Sequence, residues 1–426
     1  MSEVRRVSIE KLAPTGEGVA RGPQGVGFVE GALPGEEVDA RVFETRRSFW
    51  RGKTVSVVVP SRHRRIGGHA SGCAACDWAH FDLSAAREAK RELFLETMAR
   101  IGKVPAGAFG ELPVVPSPPG YRLRNRFHIS GRGEGTVLGH FAPGTHRVLP
   151  ADGCEAITPE TLTVLPAVRE VFAASGAAVS EIASLETQDG TRRTARMTVA
   201  GPSPRAAEAA ALLAGIRNSF EGVRIEGSAG RRLAAAGKSR LPLFAGDRVF
   251  SIGVDTFFQA NRYLVAPLYE HVRWQAQRLP PGTALDAFGG AGFFAGALLD
   301  AGHTVTSVEA DPRASRDARA IRESWPDRER WRFVEASVVS FLPGAPRHDL
   351  VVADPPRAGL GAAARGLARI AGRKLISISC DPATLARDLA VILDEGFEIE
   401  DARLYDLFAL THRIEAVVSL TRMAAL

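Results

Sequence analysis

Thr283-Ala284-Leu285-Asp286-Ala287-Phe288-Gly289-Gly290-Ala291-Gly292 is the stretch on which the fold turns. Its first four residues read as a strand entering a glycine turn, and Ala291 to Ala301 beyond it reads as a helix. A turn of this kind leaves backbone N–H groups and bare Cα surface facing a nucleotide-like ligand at the helix N-terminus. The pattern repeats downstream, with strands at Val305-Thr306-Ser307-Val308-Glu309, Leu350-Val351-Val352-Ala353-Asp354 and Lys374-Leu375-Ile376-Ser377-Ile378-Ser379-Cys380. Such alternation predicts an α/β domain built on a parallel sheet with helices on both faces. Glu309 closes the second of these strands, where a carboxylate can accept both ribose hydroxyls of a dinucleotide or of adenosylmethionine. The turn lacks G-x-G-x-x-G, which speaks against NAD. The alternative is a tight βα turn followed by a surface glutamate.

Working outward, residues 1–62 are short β-type runs broken by glycine, among them Arg6-Val7-Ser8-Ile9, Gly27-Phe28-Val29 and Thr54-Val55-Ser56-Val57-Val58-Val59. Their spacing predicts a small OB-type barrel. Residues 63–250 mix helical and alternating patterns and read as a central α+β region, leaving 251–426 for the α/β domain. Arg46, Arg47, Arg51 and Lys53 surround Phe49 and Trp50, while Arg122, Arg124 and Arg126 alternate so that one strand face is basic. Each cluster suits either RNA or a solvated edge.

The chain has 426 residues, room for two or three domains, with 45% hydrophobic and 24% charged residues. That balance excludes a disordered tail and a fibre. No apolar run approaches the roughly 20 residues that cross a bilayer, and no signal-peptide core follows Met1, so a cytoplasmic protein is expected. Lys and Arg exceed Asp and Glu by 54 − 48 = 6, which favours a polyanionic partner. Four cysteines, Cys73, Cys76, Cys154 and Cys380, are too few and scattered for a disulfide scaffold.

Three features carry chemistry. Asp354-Pro355-Pro356-Arg357 fixes a rigid loop at a strand's carboxyl end, but Arg357 stands where enzymes that methylate exocyclic amines place a stacking aromatic. Cys380 ends a strand just before a helix opened by Pro382, a position that lowers a thiol pKa and suits a nucleophile, although Asp381 works the other way. A buried apolar cysteine is the alternative there. Glu415 interrupts an otherwise apolar strand, so it is either a proton acceptor of raised pKa or the partner of Arg413 or another base.

With Phe257-Phe258-Gln259-Ala260-Asn261, the glycine turn, Asp354-Pro355-Pro356-Arg357, Ser379-Cys380-Asp381-Pro382 and His412-Arg413-Ile414-Glu415 in this order, the chain resembles the adenosylmethionine-dependent RNA uracil-5-methyltransferases over nearly its whole length. Gly16-x-Gly18 and Gly31-Ala32-Leu33-Pro34-Gly35-Glu36 resemble the TRAM module of the ribosomal-RNA members. The resemblance implies a class I methyltransferase domain, a thiolate at Cys380 that adds to uracil C6, and Glu415 as the base that removes the C5 proton. It implies cofactor contacts at Gln259, Phe288, Glu309 and Asp354. Cytosine-5 methyltransferases commonly use two cysteines near the cofactor domain, and only Cys380 lies beyond residue 154 here.

Ribosomal-RNA members hold an iron–sulfur cluster on C-x5-C-x2-C and a distant fourth cysteine. Cys73, Cys76 and Cys154 match three of these positions, while the first falls on Gly67, with His69 nearby as a substitute donor. The expectation is a monomeric enzyme acting on a uridine of 23S rRNA, with no membrane or DNA partner. Alternatives are the same reaction on tRNA, a non-catalytic RNA-binding or ribosome-assembly factor, and a cluster-based redox sensor.

Overall fold

Six strands between Val4 and Val59 form the first sheet. Along Glu37–Thr45 and Phe49–Val59, side chains alternate between core and solvent at the strand ends nearest the interior, as a two-residue period requires. The core is small: Ile9, Val29, Val38, Ala40 and Trp50. Trp50 is 2% exposed, and a Cβ on Gly27 would stand 2.2 Å from its indole, so glycine is what admits the ring. This corrects its grouping with the basic residues as an RNA-facing aromatic. Of the cations around it, Arg46 pairs with Glu44 at 2.8 Å and Arg51 lies 3.6 Å from Glu17. The computed structural model describes residues 3–65, 73, 75–200 and 206–424.

A second, seven-stranded sheet runs from Arg124 to Gly237. Helices Pro159–Ser175 and Ala206–Ile216 pack together against it, burying Phe127, Ile182, Met197 and Ile225 with Cys154. Arg124, expected on a basic RNA face, instead donates to the carbonyl of Val254 at 2.5 Å and to that of Thr256. Its guanidinium ties this sheet to the loop ahead of the third layer. Arg126 is exposed and sits 3.6 Å from Glu181.

The third sheet has eight strands, in the order Trp331–Glu335, Thr304–Glu309, Thr283–Ala287, His348–Ala353, Ala371–Ser379, Glu415–Arg422, Phe397–Tyr405, Val114–Val115. The first five are mutually parallel, as the βα alternation predicts. Glu415–Arg422 runs antiparallel between its two neighbours, so the sheet is mixed rather than wholly parallel. Two apolar cores cover its faces, one under helices Val265–Gln277 and Phe293–Asp300, the other under Leu83–Thr97 and Pro382–Asp394. Strand order reverses between Thr283–Ala287 and His348–Ala353, and the crevice at such a switch point is where an open α/β sheet binds its ligand.

Residues of the central region reach into this layer. Val114–Val115 pairs with Leu404–Tyr405, and Gly102 lies so near helix Pro382–Asp394 that a Cβ would meet the Ala386 carbonyl at 2.6 Å. No helix among the described residues is long and apolar enough to cross a membrane.

Candidate active site

The glycine turn leaves strand Thr283–Ala287 with Phe288 at φ 61°, a conformation that costs a residue carrying a Cβ roughly 1–2 kcal/mol. Gly292 follows at φ 90°, where a Cβ would lie 2.3 Å from the Trp331 indole. That indole donates to Ser307 at 2.8 Å, and Ser307 donates to Asp286 at 3.0 Å. Asp286 is fully buried, and burial raises its pKa to about 7, with Asp354 and Glu309 adding in the same direction against the Ser307 hydrogen bond. Glu309 accepts the amides of Gly290 at 2.9 Å and of Ala310 and Asp311 at 2.7 Å. Both of its oxygens are therefore bonded to backbone amides, one of them tying Gly290 of the turn to the end of strand Thr304–Glu309.

Asp354 follows strand His348–Ala353 and accepts from Gln259 at 3.4 Å. Burial raises its pKa to about 7. Gln259 bonds Asp354, and Asp354 and Glu309 both act on the buried Asp286, while the space above Gly290, where an added Cβ would meet nothing within 4 Å, is open. A strained turn, open backbone and a ribose-type carboxylate are the donor set that an adenosyl group needs, so adenosylmethionine fits these residues.

The nucleophile and base candidates come together through strand register. Ser379 pairs with Ala416 across the antiparallel ladder, so one step further Cys380 stands opposite Glu415. Directly opposed Cβ atoms lie about 4.5–5.5 Å apart. Cys380 is half-buried and Glu415 is 5% exposed. Burial raises the Glu415 pKa well above the usual carboxylate range, and Asp354 adds to this while Arg357 opposes it. Among the described residues no cationic side chain pairs with Glu415, which removes the salt bridge to Arg413 as its explanation.

The expected lowering of the Cys380 thiol is corrected. Its pKa is pushed up to about 11, first by burial and then by the charge of Glu415, against a hydrogen bond and charge from Arg357. Asp381, not Cys380, caps helix Pro382–Asp394 and takes the amide of Thr384 at 2.9 Å, so the helix terminus is spent on its own carboxylate.

Comparison with known proteins gives the chain its family. Residues 2–55 match the TRAM domain, and residues 345–423 match the tRNA (Uracil-5-)-methyltransferase family. An RNA methyltransferase of Gloeobacter violaceus is 30% identical over 98% of this chain and 96% of its own. A 23S rRNA (uracil(1939)-C(5))-methyltransferase of Halomonas elongata is 31% identical over 98% of this chain and 89% of its own. The chain belongs to the RNA uracil-5-methyltransferases. The crystal structure of the Pyrococcus abyssi tRNA (uracil-54, C5)-methyltransferase with S-adenosyl-L-homocysteine superposes with a TM-score of 0.78, covering 97% of this chain and 99% of that one at 21% identity. At that identity the likeness establishes the class I methyltransferase fold with its N-terminal TRAM barrel.

In this uracil-5-methyltransferase the three remaining cysteines gather on the central layer. Cys154 accepts a hydrogen bond from the Cys76 thiol, which lowers the pKa of Cys154 and raises that of Cys76. Cys73 is buried nearby, its thiol accepting the Ala75 amide at 3.4 Å. Among the described residues no three His, Cys, Asp or Glu side chains are arranged to hold a metal ion. Gly67 and His69 lie outside the described residues. A four-iron cluster takes four thiolates, and a glycine at the first position cannot supply one, so these three thiols do not fit that cluster.

Two residues of the site were not assigned a role from sequence. Asp286 lies inside the quoted turn, and a carboxylate in an apolar strand was the signal that could have found it. Arg357 was read only as a missing aromatic, whereas its guanidinium reaches the Cys380 thiol.

Proposed function

We propose that this methyltransferase modifies C5 of a uridine in 23S rRNA through a covalent Cys380–C6 adduct. When bound, adenosylmethionine supplies an electrophilic methyl group. Gln259, Phe288, Glu309 and Asp354 would hold it. Uracil C5 is a poor nucleophile until a thiolate adds to C6, which moves electron density onto C5 and makes it able to attack. Arg357, next to the thiol, favours the thiolate against the burial that opposes it. After methylation, C5 carries a surplus proton. Glu415 takes it as Cys380 leaves C6, which restores the double bond and the Cys380 thiolate.

The observation that carries this reading is the register that sets Cys380 opposite Glu415 at the carboxyl edge of the switch-point sheet. A carboxylate kept unpaired and nearly buried beside a thiol is poised to accept a proton, because burial raises its basicity. The choice of 23S rRNA rests on the TRAM match and on the Halomonas elongata relative. The Pyrococcus abyssi neighbour favours tRNA as the second reading.

The test incubates the protein with methyl-labelled adenosylmethionine and unmodified 23S rRNA or tRNA, then digests to nucleosides. Label in 5-methyluridine from rRNA, absent with Cys380→Ala, is the expected result. Label from tRNA alone overturns the substrate and keeps the chemistry, whereas label retained by Cys380→Ala overturns the mechanism. RNA binding without label from either RNA points to a binding factor instead.

A further inference from the structure

Three strand ends meet around the nucleophile, and two of them present an arginine. Arg357 ends the rigid Asp354-Pro355-Pro356 loop beyond strand His348–Ala353, on one side of strand Ala371–Ser379. Arg413 lies two residues ahead of Glu415 where strand Glu415–Arg422 enters the sheet on the other side. The two guanidiniums therefore flank Cys380. Arg357 is exposed and Arg413 half-buried.

Arg413 is held in place by its backbone, not by a carboxylate. Its amide donates to Thr411 Oγ1 at 3.2 Å, and Thr411 donates to the Phe408 carbonyl at 2.7 Å. The neighbouring His412 is fastened to Asp77 through its amide at 3.1 Å and through its ring. Asp77, a carboxylate whose charge acts on Arg413, is thus engaged by His412. The other groups facing Arg413 are Arg357, Cys380 and Arg122. The Arg122 side chain also lacks a carboxylate partner among the described residues; it donates to the Ala75 carbonyl at 3.4 Å and lies against the Tyr121 ring, near Cys76 and Cys154. Burial and the like charge of Arg357 both push the Arg413 pKa down.

Among the described residues neither Arg357 nor Arg413 is in ion-pair contact with a carboxylate, and an anion placed between them would relieve the repulsion of their like charges. A nucleotide drawn out of its stack into the Cys380 pocket brings a phosphodiester to the pocket rim along with the base. The planar, multi-donor guanidinium is the side chain best suited to grip it.

We propose that Arg413, with Arg357 across the nucleophile, forms a two-guanidinium cradle for a phosphodiester adjoining the flipped uridine. The cradle positions the target nucleotide and does not touch the reacting atoms through Arg413. This rests on the reading of the protein as an RNA methyltransferase, and its test is separable from that reading.

Binding of in-vitro-transcribed 23S rRNA is measured across a range of potassium chloride concentrations for the wild type, Arg413→Gln, Arg413→Lys and Arg357→Gln, with adenosylmethionine affinity as the check on folding. Each phosphate contact in single-stranded RNA contributes about 0.7 to the slope of log K against log salt. The expectation is that Arg413→Gln weakens RNA binding about tenfold and flattens that slope by about 0.7, that Arg413→Lys keeps the slope, and that Arg357→Gln flattens it by a similar amount. Loss falling on KM for RNA rather than on kcat fits the same role. An unchanged slope in Arg413→Gln, or a kcat loss at unchanged RNA affinity, overturns the cradle. If Arg413→Gln loses adenosylmethionine binding, the slope of Arg357→Gln decides. Failure of the wild type to form 5-methyluridine would count against the proposed function alone, since the slopes are read from binding.

Discussion

On the proposed mechanism, Glu415 bears on the protonation of Cys380, which makes the chemistry pH-dependent in a defined direction. Because the thiol is raised to about 11, its thiolate fraction grows tenfold per pH unit below that value, so the rate of adduct formation should climb across pH 7 to 10 without a plateau. Arg357 opposes the rise, so Arg357→Gln should move the profile further alkaline. Glu415 contributes to it, so Glu415→Gln should move the profile to lower pH while stalling release of the methylated product. Rapid-quench trapping of the protein–RNA adduct at each pH checks all three. A wild-type plateau near pH 7 would show a thiol already ionised and contradict the assignment. Cys380 and Glu415 were both legible from sequence, since a cysteine at a strand end and an acid in an apolar strand are each unusual. The sign of the thiol shift was not, because it depends on Asp381 taking the helix cap and on Glu415 facing the sulfur across the ladder.

On the proposed reading the glycine turn is the element on which cofactor binding depends, and its glycines are not equivalent. Gly292 combines φ 90° with a Trp331 ring 2.3 Å from any added Cβ, whereas Gly290 has φ 53° and open space. Gly292→Ala should therefore incur both backbone strain and a ring displacement, about 2–5 kcal/mol in sum, while Gly290→Ala should cost about 1–2 kcal/mol. Thermal unfolding with and without adenosylmethionine separates them, with ligand stabilisation kept in Gly290→Ala and lost in Gly292→Ala. The strand–turn–helix identity was plain in the sequence because apolar period and glycine placement change together there. The antiparallel strand Glu415–Arg422 was not, since a fully buried strand reads the same in either direction. Arg124 was misread for a related reason: alternation fixes a face of the strand but not what covers it, and the Val254 and Thr256 carbonyls take its guanidinium.

Across the whole molecule, segments distant in sequence are fastened to the third sheet by buried apolar residues and by a buried ion pair. Lys90 of helix Leu83–Thr97 pairs with Asp406, with side chains 1% and 3% exposed. Removing one partner strands a buried charge, so Lys90→Met should destabilise by about 3–5 kcal/mol, and Lys90→Met with Asp406→Leu should recover most of it. Urea unfolding of the two variants tests this; equal loss in both would mean that packing, not charge, holds the helix. The same layers that carry these contacts bring the TRAM barrel beside the reacting edge, where the Gly16 carbonyl accepts the Trp78 indole N–H at 2.9 Å and a Cβ on Gly16 would meet His412 at 2.8 Å. The barrel thus packs against the segment that leads into strand Glu415–Arg422. The most direct test of the whole account uses RNA transcribed with 5-fluorouridine, whose fluorine cannot leave C5 as a proton does. The wild type with methyl-labelled adenosylmethionine should give a denaturant-stable protein–RNA complex carrying label, with RNA joined to the peptide containing Cys380, and Cys380→Ala should give none. A labelled product released freely from that RNA, or a complex joined through any other residue, would contradict it.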